Sequence, residues 1–271
     1  MRLRYILFTI FILFLFQGCS TKTIPIPQTE HNTTNSNDID INDSNHSDDD
    51  FEDEFSSNDD EEEILDPLSS YNKMMTTFND KAFVYAINPI SKAYAYVIPE
   101  PVRHSVANFI HNLQFPIRIT NNLLQGKFQN SSDELERFLV NSTVGVAGLF
   151  DPARTHLNIP AHNEDFGQTL GHYGVGTGFH IVLPFLGPSN VRDVLGLTVD
   201  GYTSPLIYQK NLTKYKIPKN YVQSMAIYSS QMINKNALNL GAYESLKKDA
   251  IELYPFLREI YEQKRTADIE E

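Results

Sequence analysis

Apolar residues enter the chain as a block and later recur at helical spacing. Tyr5 to Phe16 is a 12-residue, nearly unbroken apolar run, too short to cross a hydrocarbon layer of roughly 30 Å as a helix. No period is visible from residue 20 to about 63, where apolar residues are scattered among charges. At Asp66-Pro67 the spacing predicts a helix start, with a capping carboxylate before a proline in the first turn. Met74, Phe78, Phe83, Tyr85 and Ile87 mark its apolar positions, until Pro89 kinks it or restarts a second helix through Ala93 and Val97. After Pro99-Glu100-Pro101, a further helix is marked by Val102, Val106, Phe109, Ile110 and Leu113, one face at the 3.6-residue period. Pro116 opens a stretch that ends near Gly126. Ser131 and Glu134 make a capping box before Leu135, Phe138 and Leu139, predicting a helix to about Asn141.

Residues 143–190 are dense in glycine and proline, and a region this long without a period is uncommon in a domain unless it serves function. The run Phe179 to Pro184 is short enough for strand, but no alternating ladder emerges, so the expectation is short helices and turns lying against other helices. Ser189 is placed to cap a helix from about Val191 that Pro205 interrupts. Two helices should close the chain, one across Val222, Met225, Ala226 and Ile233, the other from about Leu240 to Tyr261 with Pro255 near its final turns. The fold class is mainly α, with too many kinked elements for a regular four-helix bundle.

Charge divides the chain. Residues 30–63 carry 15 acidic and no basic side chains, leaving 19 acids against 22 bases in the other 237 positions. The formal net charge of −12 therefore belongs to a segment, and no dense basic footprint points to nucleic acid. Arg2 and Arg4 before the short apolar block, then Gly18-Cys19, read as a secretory signal with a lipobox: residues 1–18 are removed and Cys19 is acylated. Several acyl chains anchor a protein stably where one does not. Ser20 after the cysteine leans toward the outer membrane by enterobacterial sorting rules. Residues 19–63 then form a disordered acidic tether, and 64–271 a single domain with nearly balanced charge.

Chemical motifs are mostly absent. Gly171 to Gly178 lacks dinucleotide-loop spacing, and there is no P-loop and no nucleophile elbow. With the one cysteine acylated, no free thiol remains. His156, His162, Glu164, Asp165, His172 and His180 fall within 25 residues, but without a ligand pair on a helix face. They are read as groups that satisfy backbone amides and cap short helices, with Arg154 and Arg192 pairing Glu164, Asp165 or Asp193. No metal, cofactor or catalytic residue is expected.

Six segments in order carry a resemblance. They are DPLSSYNKMMTTFND (66–80), NPISKAYAYVIPEPVRHSVANFIHNL (88–113), NNLLQGKF (121–128), RFLVNSTVGVAGLFDPA (137–153), EDFGQTLGHYGVGTG (164–178) and LPFLGPSNVRD (183–193). Together they resemble the MlaA (VacJ) family of outer-membrane lipoproteins. The resemblance implies a ring-shaped, doughnut-like assembly of kinked and amphipathic helices in the inner side of the outer membrane, with a central amphipathic channel. Misplaced outer-leaflet phospholipids would pass through it to a periplasmic carrier of the Mla pathway, maintaining lipid asymmetry without breaking a bond. A trimeric porin would be a further partner. Carried over by motif, Phe78, Asn79, Gly167, Gly171, Tyr173, Gly174, Gly176 and Gly178 would lie beside the channel. Asp66, Pro67, Asn72, Asp151, Pro152, Glu164, Asp165, Arg192 and Asp193 would fix the ring. Tyr71-Asn72-Lys73 departs from the family's Phe-Asn-Arg and loses the guanidinium fork. The alternative from a different class is a lipoprotein scaffold that binds a protein partner and moves no lipid; sequence does not separate the two, since both need an apolar groove with polar rims.

Overall fold

The computed structural model describes residues 66–271, which belong to one compact unit. The expected signal peptide, Cys19 and the acidic tether lie outside the described residues.

Helix α1 (Ser69–Ala82) runs through a π turn (Phe83–Ile87) into α2 (Asn88–Val97). Pro89 neither breaks nor restarts the rod, because it sits in the first turn after the π segment, where the ladder is already re-phased by the Asn88 N–H reaching back to the Phe83 carbonyl. Helices α3 (Glu100–Leu113), α4 (Phe115–Leu124) and α5 (Phe128–Thr143) follow, then the single turn α6 (Pro152–Thr155) and α7 (Phe166–His172). A hairpin, β1 (His180–Leu183) and β2 (Gly187–Asn190), precedes α8 (Val191–Thr203) and a 3-10 segment (Lys210–Tyr215). Three helices complete the chain: α9 (Tyr221–Leu238), α10 (Ala242–Lys248) and α11 (Leu253–Glu270).

Five local expectations are corrected. Residues 179–190 form an antiparallel ribbon, in register from His180 with Asn190 to Leu183 with Gly187. Pro184 and Pro188 hide its alternation in the sequence, yet a two-stranded ribbon has room for proline on its open edges. The Asp66 carboxylate caps nothing: the α1 N-cap is Leu68, and Asp66 is drawn instead to Asn72, Tyr254 and Arg258. Ser131 and Glu134 are inside α5, which begins at Phe128, because Glu134 is held by Arg118 at 2.6 Å; likewise Asn190, not Ser189, caps α8. The last predicted helix is two, divided between Lys248 and Leu253, and Pro255 opens the second one, in the turn where a missing N–H costs nothing.

The helices close a circuit. The α1–α2 rod packs on α9, α9 on α3, α3 on α4, α4 on α7, α7 on α11, and α11 returns to α1. The hairpin joins this ring through α1, α8 and α11. Within the circuit, polarity is inverted. Prolines aside, only five apolar side chains are buried among the described residues (Ala153, Val182, Leu206, Ala237 and Tyr254), against 26 polar or charged ones. Helix α5 buries Ser131, Glu134, Arg137 and Asn141 while Leu135 and Leu139 stay exposed. Helix α4 does the same with Arg118, Asn121 and Asn122 against Leu123 and Leu124. No described helix is long and apolar enough to cross a membrane.

The interior is held by pairing of most of its polar groups, with six buried side-chain atoms, Asn122 Oδ1 and Arg137 Nε among them, left without a protein partner among the described residues. Glu134, fully buried, takes the Arg118 Nε–H on one oxygen and the His162 backbone N–H at 2.7 Å on the other. Arg118 also donates to the His111 carbonyl at 2.7 Å. Arg118→Met leaves that carboxylate buried and unpaired and should cost about 3–5 kcal/mol. Arg118→Met/Glu134→Gln, which keeps an acceptor for His162, should regain more than half of the loss in equilibrium unfolding from mild detergent. Equal stability of the single and double variants would mean that the pair does not organise this corner.

Candidate functional site

Helix α1 serves β1 as a neighbouring strand. Asn72 accepts the Val182 N–H on Oδ1 at 2.8 Å and donates from Nδ2 to the His180 carbonyl at 3.1 Å. Two helical turns on, Asn79 repeats the pattern, donating to the Leu183 carbonyl at 2.9 Å and accepting the Phe185 N–H at 2.7 Å. Seven helical residues rise about 10.5 Å and three strand residues about 10 Å, so the two amides fall in step with the strand. Each copies the donor and acceptor of a peptide group, and the first strand gains the partner that a two-stranded ribbon lacks.

The hairpin turn carries Phe185 at φ +63° and Gly187 at φ +87°. The phenyl ring of Phe78 meets Phe185 edge-on at 5.1 Å, and Tyr228 of α9 donates to the Phe185 carbonyl at 3.3 Å. The tip therefore bridges the inner faces of α1 and α9. Around it, four cavities share walls. One of about 570 Å³ lies between Phe83, Ile110, Gln114, Leu186, Met232 and Lys235. Another of about 200 Å³ shares Phe83, Phe185, Leu186 and Met232 with it and reaches Asn79 and Tyr243. A third, about 230 Å³, also touches Leu186 and is walled by Asp165, Asp193, Asp200, Tyr261 and Arg265. The fourth, about 170 Å³, joins Asp165 to His111 and Gln114. Leu186 lines three of the four, so the hairpin tip stands at their junction. A larger cavity of about 890 Å³ lies between α3 and residues 144–156 and shares no lining residue with them.

The charged wall is an ion-pair knot. Arg265 makes a two-pronged contact with Asp165 at 2.8 and 2.9 Å and with Asp193 at 2.9 and 2.8 Å. Tyr261 and Arg192 also donate to Asp193, at 2.6 and 3.1 Å. Burial would raise the Asp193 carboxyl, but donors from Arg265, Tyr261 and Arg192 outweigh it and hold it below the usual carboxylate range. Burial also opposes charge on Arg265, yet Asp165 and Asp193 overcome it and raise its affinity for the proton. Asp200 has no cationic hydrogen-bond partner. Burial pushes it up to about 6, against hydrogen bonds from the Phe166 N–H and the Asn121 amide, each 2.9 Å. Burial, with the nearby Arg118 charge, lowers His111.

Of the residues expected beside a channel, Asn79 lines a cavity and Phe78 packs on the hairpin tip. The glycines divide by role. A Cβ on Gly167 would sit 2.4 Å from Asp193 and 2.7 Å from Arg265, and one on Gly196 2.5 Å from the Gly167 nitrogen. That contact lets α7 and α8 close and brings the knot together. A Cβ on Gly171 would run into Ile269, Gly174 and Gly178 take positive φ, and Gly176 faces open space. Tyr173 is exposed and donates to the Leu124 carbonyl at 2.5 Å. Asp151 caps α6 before Pro152 and binds Arg137 at 2.9 Å. Asp165 forms a capping box with Gln168 on α7. Glu164 pairs with Lys127 at 2.7 Å rather than with arginine, and Arg192, not Arg154, meets Asp193. His162 reaches Asp133 and His180 reaches Glu262, each at 3.1 Å, and among the described residues no group is placed to hold a metal ion. Sequence reasoning missed Arg265, Arg118, Glu134, Asn121, Asp200, Tyr254 and Tyr261. The signal was present as polar residues at helical period, Ser131, Glu134, Arg137 and Asn141 among them.

The family model for MlaA lipoprotein matches residues 64–268. An uncharacterized protein of Rickettsia bellii is 28% identical over 210 residues, 77% of this chain and 78% of its own. The Escherichia coli protein named intermembrane phospholipid transport system lipoprotein MlaA is 36% identical over 140 residues, 51% of this chain and 56% of that one. Its Haemophilus influenzae namesake is 29% identical over 200 residues, 73% and 76% of the two chains. A solved structure described as the structural basis for maintenance of bacterial outer membrane lipid asymmetry superposes with a TM-score of 0.62 at 27% identity, covering 76% of this chain and 99% of that one.

Two outcomes test the site. Asn72→Ala strands the buried Val182 N–H and should destabilise by about 1–3 kcal/mol, with faster hydrogen exchange at Val182 than in the wild type; an unchanged Val182 amide would exclude the strand-mimic role. Asp200 binds its proton more tightly when folded, so the folded state holds more protons between about pH 4 and 6 and stability falls as pH rises through that window. Unfolding free energies from pH 4 to 7 should show this slope, up to about 3 kcal/mol, in the wild type and lose it in Asp200→Asn.

Proposed function

Since this chain belongs to the MlaA lipoprotein family, we propose that it removes misplaced phospholipids from the outer leaflet of the outer membrane and passes them through its ring toward a periplasmic carrier. Family membership brings outer-membrane, lipid-anchored localisation, with phospholipid and the bilayer as its surroundings. The lipid anchor would be Cys19, behind a cleaved signal at 1–18 and ahead of a domain from 64 to 271. A trimeric porin and a carrier of the Mla pathway are the proposed protein partners. The step breaks no bond, and its direction comes from those partners.

The observation that carries this reading is the inverted polarity around cavities that share walls. A diacyl lipid needs one polar and one apolar wall along its path. The 570 Å³ cavity is lined by both kinds of group, apolar Phe83, Ile110, Leu186, Met232 and Leu238 together with Gln114, Gln231, Asn234 and Lys235. Lys235 supplies a positive charge for a phosphodiester, and the volume is that of a ligand site. Outside, exposed Tyr85, Tyr96, Phe128, Val144 and Phe150 are suited to acyl chains and the headgroup boundary. Phe78, Asn79 and the segment from Gly167 to Gly178 are proposed as the margin of the lipid path, with the ion pairs of Asp165, Arg192 and Asp193 holding its shape.

The test is native mass spectrometry with lipid extraction on the full chain purified from its own outer membrane. Wild type should carry diacyl phospholipid in fixed stoichiometry. Met232→Trp, which fills the cavity, should lower that occupancy about tenfold, equivalent to ~1.4 kcal/mol, with an unchanged helical signal. Gly176→Trp, where there is space for the ring, should do the same if the glycine segment borders the path. A lipid-free wild type with a stoichiometric protein partner would instead make the chain a scaffold.

A further inference from the structure

Between Asp200 and Glu244 the chain has five lysines and no acidic residue. The segment lies outside the six matched motifs, and the structure gives it a definite surface. Lys216 is buried and donates to the carbonyls of Gly201, Tyr202 and Ser204 at 3.1, 2.7 and 2.5 Å. It thereby closes the C-terminal end of α8, where a cation is favoured. Lys219 donates to the carbonyls of Thr213 and Lys216 at 3.0 and 2.8 Å, and Pro218 is fully buried beneath them. Two lysines are thus spent on fixing the loop.

What the loop then presents is mixed in a specific way. Lys210 and Lys214 are exposed and have no described carboxylate within ion-pair distance. Interleaved with them, Tyr215 is 75% exposed, Ile217 51%, Tyr221 70% and Val222 77%. Water alone would not favour so many apolar side chains on a loop this well fixed. Lysines among aromatic and branched side chains suit the headgroup layer, where tyrosine rings sit at the polar boundary and ammonium groups meet phosphate.

We propose that residues 208–222 form a docking surface for anionic phospholipid headgroups of the surrounding leaflet, with Lys210 and Lys214 on the phosphates and Tyr215, Ile217 and Tyr221 entering the boundary beneath them. The proposal rests on the bilayer-embedded reading of the ring but not on lipid passing through it. The site is on the rim, separate from the cavities. It selects the lipids that surround the protein and fixes the depth at which this side of the ring sits.

The chain contains no tryptophan, so Tyr215→Trp provides a single reporter at an exposed position. The full-length protein is reconstituted in mixed phosphatidylglycerol and phosphatidylcholine vesicles at equal mole fractions, with bromine on the upper acyl chain of one lipid or the other. Quenching of the reporter should favour brominated phosphatidylglycerol, with an enrichment of about fivefold for each lysine at low salt. In the Lys210→Gln/Lys214→Gln background it should fall to parity, while Lys81→Gln/Lys248→Gln, an equal loss of charge elsewhere, should leave it unchanged. Equal quenching by both lipids in the unmodified background would overturn the headgroup selection. No quenching by either would mean that the patch faces water or a protein. Because the reporter sits on the rim, a lumen that carries no lipid leaves this result readable, and a failed rim leaves the lipid-occupancy experiment readable.

Discussion

A polar group withdrawn from water must find a partner, and here the requirement falls on almost the whole interior. The helices turn their asparagines, arginines and carboxylates inward and their leucines, valines and aromatic rings outward. In a water-soluble core, loose apolar packing loses some dispersion energy, whereas an interior of this kind loses the desolvation free energy of every group left unmatched. The ring is therefore specified by hydrogen-bond matching. That explains the bidentate arginine contacts, the carboxylates with both oxygens occupied, and the glycines at places where a methyl group would keep donor and acceptor apart.

The hairpin shows how this constraint positions the candidate site. Two strands alone are marginal, and the ribbon persists because Asn72 and Asn79 extend its hydrogen bonding onto a helix. With the ribbon fixed, Phe185 and Leu186 reach the junction of the cavities, and the knot of Asp165, Asp193 and Arg265 forms one wall. The cavities are thus a by-product of how the polar interior is satisfied: where partners meet there is wall, and between the hairpin tip and helices α1, α3 and α9 there is space.

Helix content, the order of the helices and the helix starts at Pro101 and Pro116 were legible in the sequence, because 3.6-residue spacing survives whichever face is turned inward. Asp165, Asp193 and Arg192, read from the sequence as ion-pairing groups, lie together in the knot around Arg265. Three things were not legible for physical reasons. Capping rules identified Ser131 with Glu134 from spacing alone, and no local rule reports that a carboxylate has an arginine 16 residues away. The hairpin was hidden because its support comes from side-chain amides of a remote helix rather than from a third strand. Arg265, Tyr254 and Tyr261 lie beyond the matched motifs, and their partners are separated from them by tens to hundreds of residues.

Closure of the circuit depends on such a distant pair. Asp66 and Asn72, at the first described residues, meet Tyr254 on the last helix, and contacts of long sequence separation form late. The ring cannot be sealed while its C-terminal helix is still being made or exported. Until then the polar strips that will face inward and the apolar faces that will meet lipid are both open to water on one incomplete arc. For a protein bound for a membrane across an aqueous compartment, delivery is therefore a problem of timing as well as of address: the arc must be kept from joining another arc until its own two ends find each other.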